Sequence, residues 1–220
     1  MTMNTLLNRI RELNQQTSRL AAVLRHSVRE SIGDKRDHRE LHLTEEGRRR
    51  AVEFGKNLPR GKTIRLFNSP VSRCRETAEC IQEGVQSGGG VAILMGVRDF
   101  LRVPLTDFAG ALEQMKRIGV FQFTRMWLED QIDRKIVDAP QQAFEEMATG
   151  VVSTLLENEQ GHIDLHVAHD WNVLLLRERI LGIRHEDAGW PDFLDGVILT
   201  HEKGKVTASY GKIAKTIDWS

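Results

Sequence analysis

Three short stretches of the chain carry side chains able to hold and transfer an anionic group. In Ala21-Ala-Val-Leu-Arg-His-Ser-Val-Arg-Glu30, four apolar residues run directly into Arg25 and His26, and Arg29 follows three positions later. At Asn68-Ser69-Pro70 the chain leaves a second apolar run and then reaches Arg73. At His169-Asp170 it leaves another, with Asn172 just beyond. Arginine presents a planar fork of N–H donors that matches a tetrahedral oxyanion, which the single ammonium of lysine does not. A histidine crowded by arginines is held back from protonation, so a ring nitrogen keeps its lone pair at neutral pH. Brought together, three guanidiniums, two imidazoles and one carboxylate make a pocket for phosphate or sulfate. Taken singly, each has an ordinary reading: Arg25 and Arg29 as surface charges, His26 as a satisfied strand-end histidine, Arg73 as a partner of Glu76, Asp170 as the N-cap of a helix opening at Trp171. Those readings would all have to hold at three strand ends at once.

The elements that must position these residues follow from the apolar pattern. Residues 4–17 place Leu6, Leu7, Ile10 and Leu13 at helical spacing. "RLAAVL" (19–24) is too continuously apolar for an alternating strand and reads as a buried one, as does "TIRLF" (63–67). "VAILMGV" (91–97) and residues 163–168 of "IDLHVAHD" give a third and a fourth strand. Thr44 is placed to cap a helix whose Gly47, Ala51, Phe54, Gly55 and Leu58 form one stripe. Ser69 as N-cap and Pro70 at the first helical position open a helix over 70–84 that buries Val71, Cys74, Ala78 and Ile81, and its positive end adds to an anion site. "SGGG" ends that helix. Residues 101–138 interrupt the alternation, with Pro104, Phe108, Met115, Phe121, Phe123, Met126 and Trp127 among helical segments. This is the pattern of an insertion or cap whose aromatics and methionines form its own core. A helix over 140–158 leads to the fourth strand, "WNVLLLRERILG" is a helix ending at Gly182, and "GVILTHEKGKVTASYG" is a hairpin around Lys203-Gly204-Lys205. Strands alternating with helices predict one α/β domain over 1–220, with a mostly parallel sheet covered on both faces. Ligands of such sheets bind outside the carboxyl ends of the strands, where the three stretches fall.

The bulk properties restrict the partners. Lys+Arg and Asp+Glu number 31 each in 220 residues, so no global charge favours nucleic acid or an anionic membrane, and any anion site is local. No apolar run suits a signal peptide or a membrane span. Cys74 and Cys80 stand six apart on one helix, a spacing that suits neither a disulfide nor a CxxC metal site, and a reducing, cytoplasmic setting is the default. His38 and His42 read as solvated, and His162, His166, His185 and His201 as structural. No cluster of carboxylates is spaced to hold Mg²⁺, and neither a metal nor another cofactor is required.

"VLRHS", "LTEEGRRRAVEFG", "NSPVSRCRETAECIQEG" and "HVAHDWNVLLL" resemble, in order and separation, the four sequence blocks of the histidine phosphatase superfamily, which includes phosphoglycerate-mutase-like enzymes and histidine acid phosphatases. The resemblance implies a three-layer α/β/α sandwich with a helical insertion at 101–138, where the family varies. It makes His26 the nucleophile of a phosphatase working through a phosphohistidine. Arg25, Arg29, Arg73 and His169 become the phosphate pocket, joined by Asn172 and by the hydroxyl of Ser27, which stands where the family usually has glycine. Asp170, directly after His169, resembles the proton donor of the acid-phosphatase branch, and Arg29 follows the same branch. The mutase branch instead uses a glutamate after the third strand, where this chain reads "GVRDFLRV" with Asp99. A mutase-like phosphoryl transferase, a phosphohistidine-protein phosphatase and a non-catalytic phosphate- or phosphoprotein-binding module are the alternatives. A small phosphorylated substrate is expected, with specificity assigned to residues 101–138 and to the loop 30–42, whose Lys35, Arg36 and Arg39 could attract a second anionic group.

Overall fold

A computed structural model describes residues 3–17, 19–31, 41–158 and 161–219. The loop cations Lys35, Arg36 and Arg39, with His38, lie outside the described residues. Strands β1 (Arg19–Arg25) and β4 (Ile163–Ala168) are the most deeply buried, as their unbroken apolar runs require. They pair in parallel with Leu24 opposite Val167 and Arg25 opposite Ala168. Strand β2 (Thr63–Asn68) lies on the other side of β4 with Asn68 opposite Val167. The three carboxyl ends therefore finish level on one rim. The ladder continues past the strands: His26 N donates to Ala168 O at 3.0 Å, and Ser69 N donates to Val167 O at 3.0 Å.

The full sheet has the order β3-β2-β4-β1-β5-β6-β7. Its first four strands, including β3 (Val91–Val97), are parallel. The hairpin of β5 (Gly196–Glu202) and β6 (Lys205–Tyr210) continues it in the antiparallel sense. A seventh strand, β7 (Ile213–Ile217), extends this block beyond the expected hairpin. Its side chains are largely exposed, so it carries no burial pattern from which to read a strand.

One face of the sheet packs on α1 (Met3–Gln16), α2 (Glu45–Lys56) and α3 (Ser72–Ser87), with Leu6, Ile10, Phe54, Cys74 and Ile81 against Leu20, Leu24, Ile64 and Leu165. The other packs on α6 (Pro140–Leu156) and α7 (Asp170–Leu181). A short α8 (His185–Ala188) follows α7. The result is the expected three-layer α/β/α architecture. Within 101–138 lie α4 (Phe108–Ile118) and α5 (Val120–Leu128), and a bridge between Leu105 and Val137 closes the segment at its base. Phe123 and Trp127 are buried, and Trp127 stacks on Trp171 of α7 at 4.9 Å. The segment thus shares the core of the main fold instead of owning a separate one. Among the described residues no helix is long and apolar enough to cross a membrane.

Two helix starts show how local signals and tertiary demands compete. Thr44 caps α2 as expected, its hydroxyl accepting from Gly47 N at 3.0 Å. Helix α3, however, starts at Ser72, not at Pro70, and its N-cap Val71 offers no side-chain acceptor. Ser69 does not cap because its hydroxyl pairs with His169 Nε2 at 2.9 Å. Gly47 is required for another reason: a Cβ there would stand 1.9 Å from Val28 O, so α2 lies directly against the segment that follows His26. Gly47→Ala should therefore destabilise the protein by about 2 kcal/mol through overpacking. The loss would be read as a lower urea midpoint at unchanged slope.

Candidate active site

Strand β1 delivers Arg25 and His26 to the rim, β2 delivers Ser69 with Arg73 on the first turn of α3, and β4 delivers His169 and Asp170 at the start of α7. His26 and His169 are 3% and 1% exposed, their ring centres 5.6 Å apart and nearly perpendicular. Between them lies Arg73, 5% exposed, whose Nε donates to His26 Nε2 at 3.0 Å and whose Nη2 meets His169 Nδ1 at 3.2 Å. A guanidinium can only donate, so both contacted ring nitrogens must be unprotonated acceptors. The remaining nitrogens carry the protons: His26 Nδ1 donates to Ser27 O at 2.7 Å, and His169 Nε2 donates to Ser69 Oγ. The assignment puts the lone pair of His26 on Nε2, on the side of Arg73.

Burial is the largest influence on His26, and with the charge of Arg73 it holds the imidazole pKa well below its usual value. Arg25 and Arg29, its sequence neighbours, act in the same direction more weakly. Burial and the nearby guanidiniums also lower Arg29, while burial is the main cause for Arg73. Arg25 is held by three contacts: Nη1 donates to Pro191 O at 2.7 Å, Nη2 lies 3.1 Å from Asp170 Oδ2, and the guanidinium sits 4.1 Å above the Phe193 ring. Arg29 Nη1 donates to Glu30 O at 2.5 Å. Asp170 also accepts from Trp171 N and from the indole Nε1 of Trp190, each at 3.0 Å.

Among the described residues, Arg25, His26, Arg29, Arg73, His169 and Asp170 line a cavity of about 100 Å³. The other described residues that line it are Leu41, Val103, Leu105, Phe108, Met115 and Trp171. The expectation that the aromatics and methionines of 101–138 form only a core is thus corrected in part. Phe123 and Trp127 do, but Phe108 and Met115 face the cavity.

Two predicted site residues are not on this cavity. Ser27 is fully buried and its hydroxyl donates to Gly47 O at 2.7 Å, while its N–H donates to Thr77 Oγ1 at 3.1 Å. Its φ is not positive, so the backbone at this position does not demand glycine. Asn172 turns inward: its Oδ1 accepts from His169 N at 3.2 Å, and its amide donates to Arg102 O at 3.3 Å. It orients His169 and does not face a ligand. Glu76 is not the partner of Arg73. Burial alone would raise its carboxyl, but hydrogen bonds from His42 and from Leu43 N (2.9 Å), with Arg48 Nη2 at 2.8 Å, bring it below its usual value. His42 is accordingly paired as well as half exposed to solvent. Asp99 lines a separate cavity with Arg102, Trp171 and Asn172. The contacts of Ser69, Trp190 and Phe193 had no signal in the sequence, because each depends on a loop or strand end remote along the chain.

A model of the histidine phosphatase superfamily (branch 1) matches residues 22–196, most of the chain and all of this site. The chain belongs to the histidine phosphatase superfamily. Solved structures with the fold of this superfamily member include YhfR of Bacillus stearothermophilus, 19% identical with a TM-score of 0.63 over 88% of this chain and 95% of that one. They include a phosphoglycerate mutase from Bacillus anthracis str. Sterne, 13% identical, TM-score 0.59, covering 91% and 92%. They also include a mycobacterial glucosyl-3-phosphoglycerate phosphatase, 18% identical, TM-score 0.58, covering 91% and 98%. No curated protein sequence is a significant match.

A buried histidine of this superfamily member outside the cavity also gives the fold a pH signature. His166 on β4 stacks on Phe67 at 4.6 Å, and burial lowers its pKa to about 3. Like His26, it stays neutral in the fold but gains a proton in the unfolded chain below pH 6.5. The unfolded state then binds more protons, so acidification destabilises the fold and raising the pH restores it. Between about pH 6 and about pH 4.5, His166→Phe should reduce the acid-induced loss of unfolding free energy by about 2 kcal/mol. Urea titrations at the two pH values provide the measurement.

Proposed function

We propose that the protein is a phosphatase that hydrolyses phosphate monoesters through a phosphohistidine on His26. The observation that carries this reading is the tautomer of His26, with Nδ1–H donated to Ser27 O and the Nε2 lone pair on the side of Arg73. The fourfold sequence resemblance and the superfamily membership support it.

In the first step Nε2 attacks phosphorus and the P–O ester bond breaks, the electron pair leaving on the alcohol oxygen. Asp170 supplies that oxygen with a proton. The Nδ1–H···O=C bond to Ser27 holds the ring in place and stabilises the positive charge it acquires. Arg25, Arg29 and Arg73 bind the non-bridging oxygens, joined by a protonated His169 once Arg73 turns from its Nδ1 to the phosphoryl group. Arg73 has to exchange its donation to His26 Nε2 for a phosphoryl oxygen, which releases the lone pair as the substrate binds. Most of the rate enhancement is then positioning and charge stabilisation by donors already in place. In the second step Asp170 takes a proton from water, the water oxygen attacks phosphorus, and the P–N bond breaks to release phosphate and restore neutral His26.

Asp170 suits this role because it lines the same cavity as His26 and is oriented by Arg25, Trp190 and its own helix start. Asp99, at the position where the resemblance would put a mutase's acid, faces another cavity. This favours hydrolysis over mutase-type transfer. We read residues 1–220 as one catalytic domain, with 101–138 as a cap over the cavity.

His26→Ala should lower kcat for p-nitrophenyl phosphate by at least about a thousandfold while inorganic phosphate still binds. Wild-type turnover by this variant would sink the assignment. Asp170→Asn should cost alkyl phosphates at least about tenfold more in kcat than p-nitrophenyl phosphate, whose leaving group needs no proton. Equal losses would reduce Asp170 to a helix-capping residue.

A further inference from the structure

The two oxygens of the Asp170 carboxyl are held unequally. Oδ2 accepts from the indole Nε1–H of Trp190 at 3.0 Å and lies 3.1 Å from Arg25 Nη2. Oδ1 accepts from the N–H of Trp171 at 3.0 Å. A carboxylate oxygen has two lone pairs, and an indole N–H or a guanidinium can only donate. Oδ2 thus turns both lone pairs toward donors, while the contact of Oδ1 uses one. The backbone on each side of Trp190 is pinned. Gly189 O accepts from Nη2 of the fully buried Arg177 at 2.7 Å, and Pro191 O accepts from Arg25 Nη1 at 2.7 Å. Further on, Leu194 N donates to Arg25 O at 3.0 Å and Arg25 N donates to Asp195 O at 2.9 Å, so the segment runs along the end of β1. The ring itself meets Phe121 of α5 edge-on at 5.1 Å and His185 of α8 at 5.7 Å. A donor held in this way loses little conformational freedom in meeting a carboxylate.

We propose that Trp190 is a positioning residue for proton transfer: it fixes Oδ2 of Asp170 as an acceptor and makes Oδ1 the oxygen that carries the proton. This rests on the phosphatase reading above and adds to it the atom through which Asp170 works. In the first step the Oδ1–H bond breaks and the proton passes to the alcohol oxygen as the P–O ester bond breaks. In the second step Oδ1 takes a proton from the attacking water, which restores the carboxyl. Phe121 belongs to the 101–138 segment, so the same indole joins that segment to the acid.

Trp190→Phe tests this directly, because it removes the N–H and keeps a ring against Phe121 and His185. It should cost ethyl phosphate about fivefold more in kcat than p-nitrophenyl phosphate, whose leaving group needs no proton. A folding defect lowers both rates by the same factor and cannot imitate this. In an Asp170→Asn background the same substitution should move the ratio of the two rates by less than about twofold, since no carboxyl proton remains to be positioned. Equal losses on the two substrates, or an undiminished effect in the Asp170→Asn background, would overturn the inference. With p-nitrophenyl phosphate still hydrolysed by the wild type and not by His26→Ala, that result leaves the phosphatase reading standing. No hydrolysis of p-nitrophenyl phosphate by the wild type overturns both.

Discussion

The site depends on a buried guanidinium that two histidines share. Arg73 can neither accept a hydrogen bond nor lose its proton, so its two contacts settle the tautomers of His26 and His169 together. Much of the surrounding geometry follows. Helix α3 starts at Ser72, which puts Arg73 on its first turn and directs it across the ends of β1 and β4. Ser69, left outside the helix, is then available to accept from His169. Cys74, one residue on, fills the space beneath, its Sγ 3.4 Å from Ala168 O, and burial pushes its thiol up to about 12. It acts as a small apolar packing residue below a polar site.

This arrangement is electrostatically unfavourable by itself. Arg25, Arg29 and Arg73 converge with partial loss of water, and burial lowers the pKa of both Arg29 and Arg73. The surrounding backbone offsets part of the cost through Pro191 O and Glu30 O, and Asp170 Oδ2 lies 3.1 Å from Arg25 Nη2. A phosphoryl group would supply negative charge, and at low effective dielectric its attraction to preplaced cations is strong. A site whose converging cations are relieved by an anionic ligand is the usual place for a fold to depart from its own stability rules.

Support for the strand-end loop comes from behind the cavity. Gly47 lets α2 touch Val28 O, Ser27 donates to Gly47 O, and Ser27 N–H reaches Thr77 of α3. The residue after His26 thus joins β1 to two helices while its own carbonyl orients the imidazole. Serine at this position is a structural tie, which accounts for a residue that departs from the family pattern without placing it among the ligand contacts. The Glu76 cluster, with His42, Leu43 and Arg48, anchors the return of the 30–42 loop to α3 in the same region.

The four parallel strands, the caps at Thr44 and Gly182 and the rim carrying Arg25, His26, Arg73, His169 and Asp170 were legible in the sequence. Apolar runs, helical stripes and capping residues are local signals, and a parallel sheet converts strand ends into neighbours without further information. Contacts between remote segments were not legible. Ser27 and Asn172 have the right chemistry for a ligand, yet close packing turned both toward backbone groups, Gly47 O and His169 N. The apolar lining residues Phe108 and Met115 were equally hidden, because they carry the same helical spacing as the core residues Phe123 and Trp127. Only the position of α4 over the strand ends separates them. By itself the sequence determined which residues meet at the rim, since period and polarity decide the strands and their ends. The tertiary structure decided which way each side chain turns there, because that depends on filling space and pairing every buried polar atom across the whole chain.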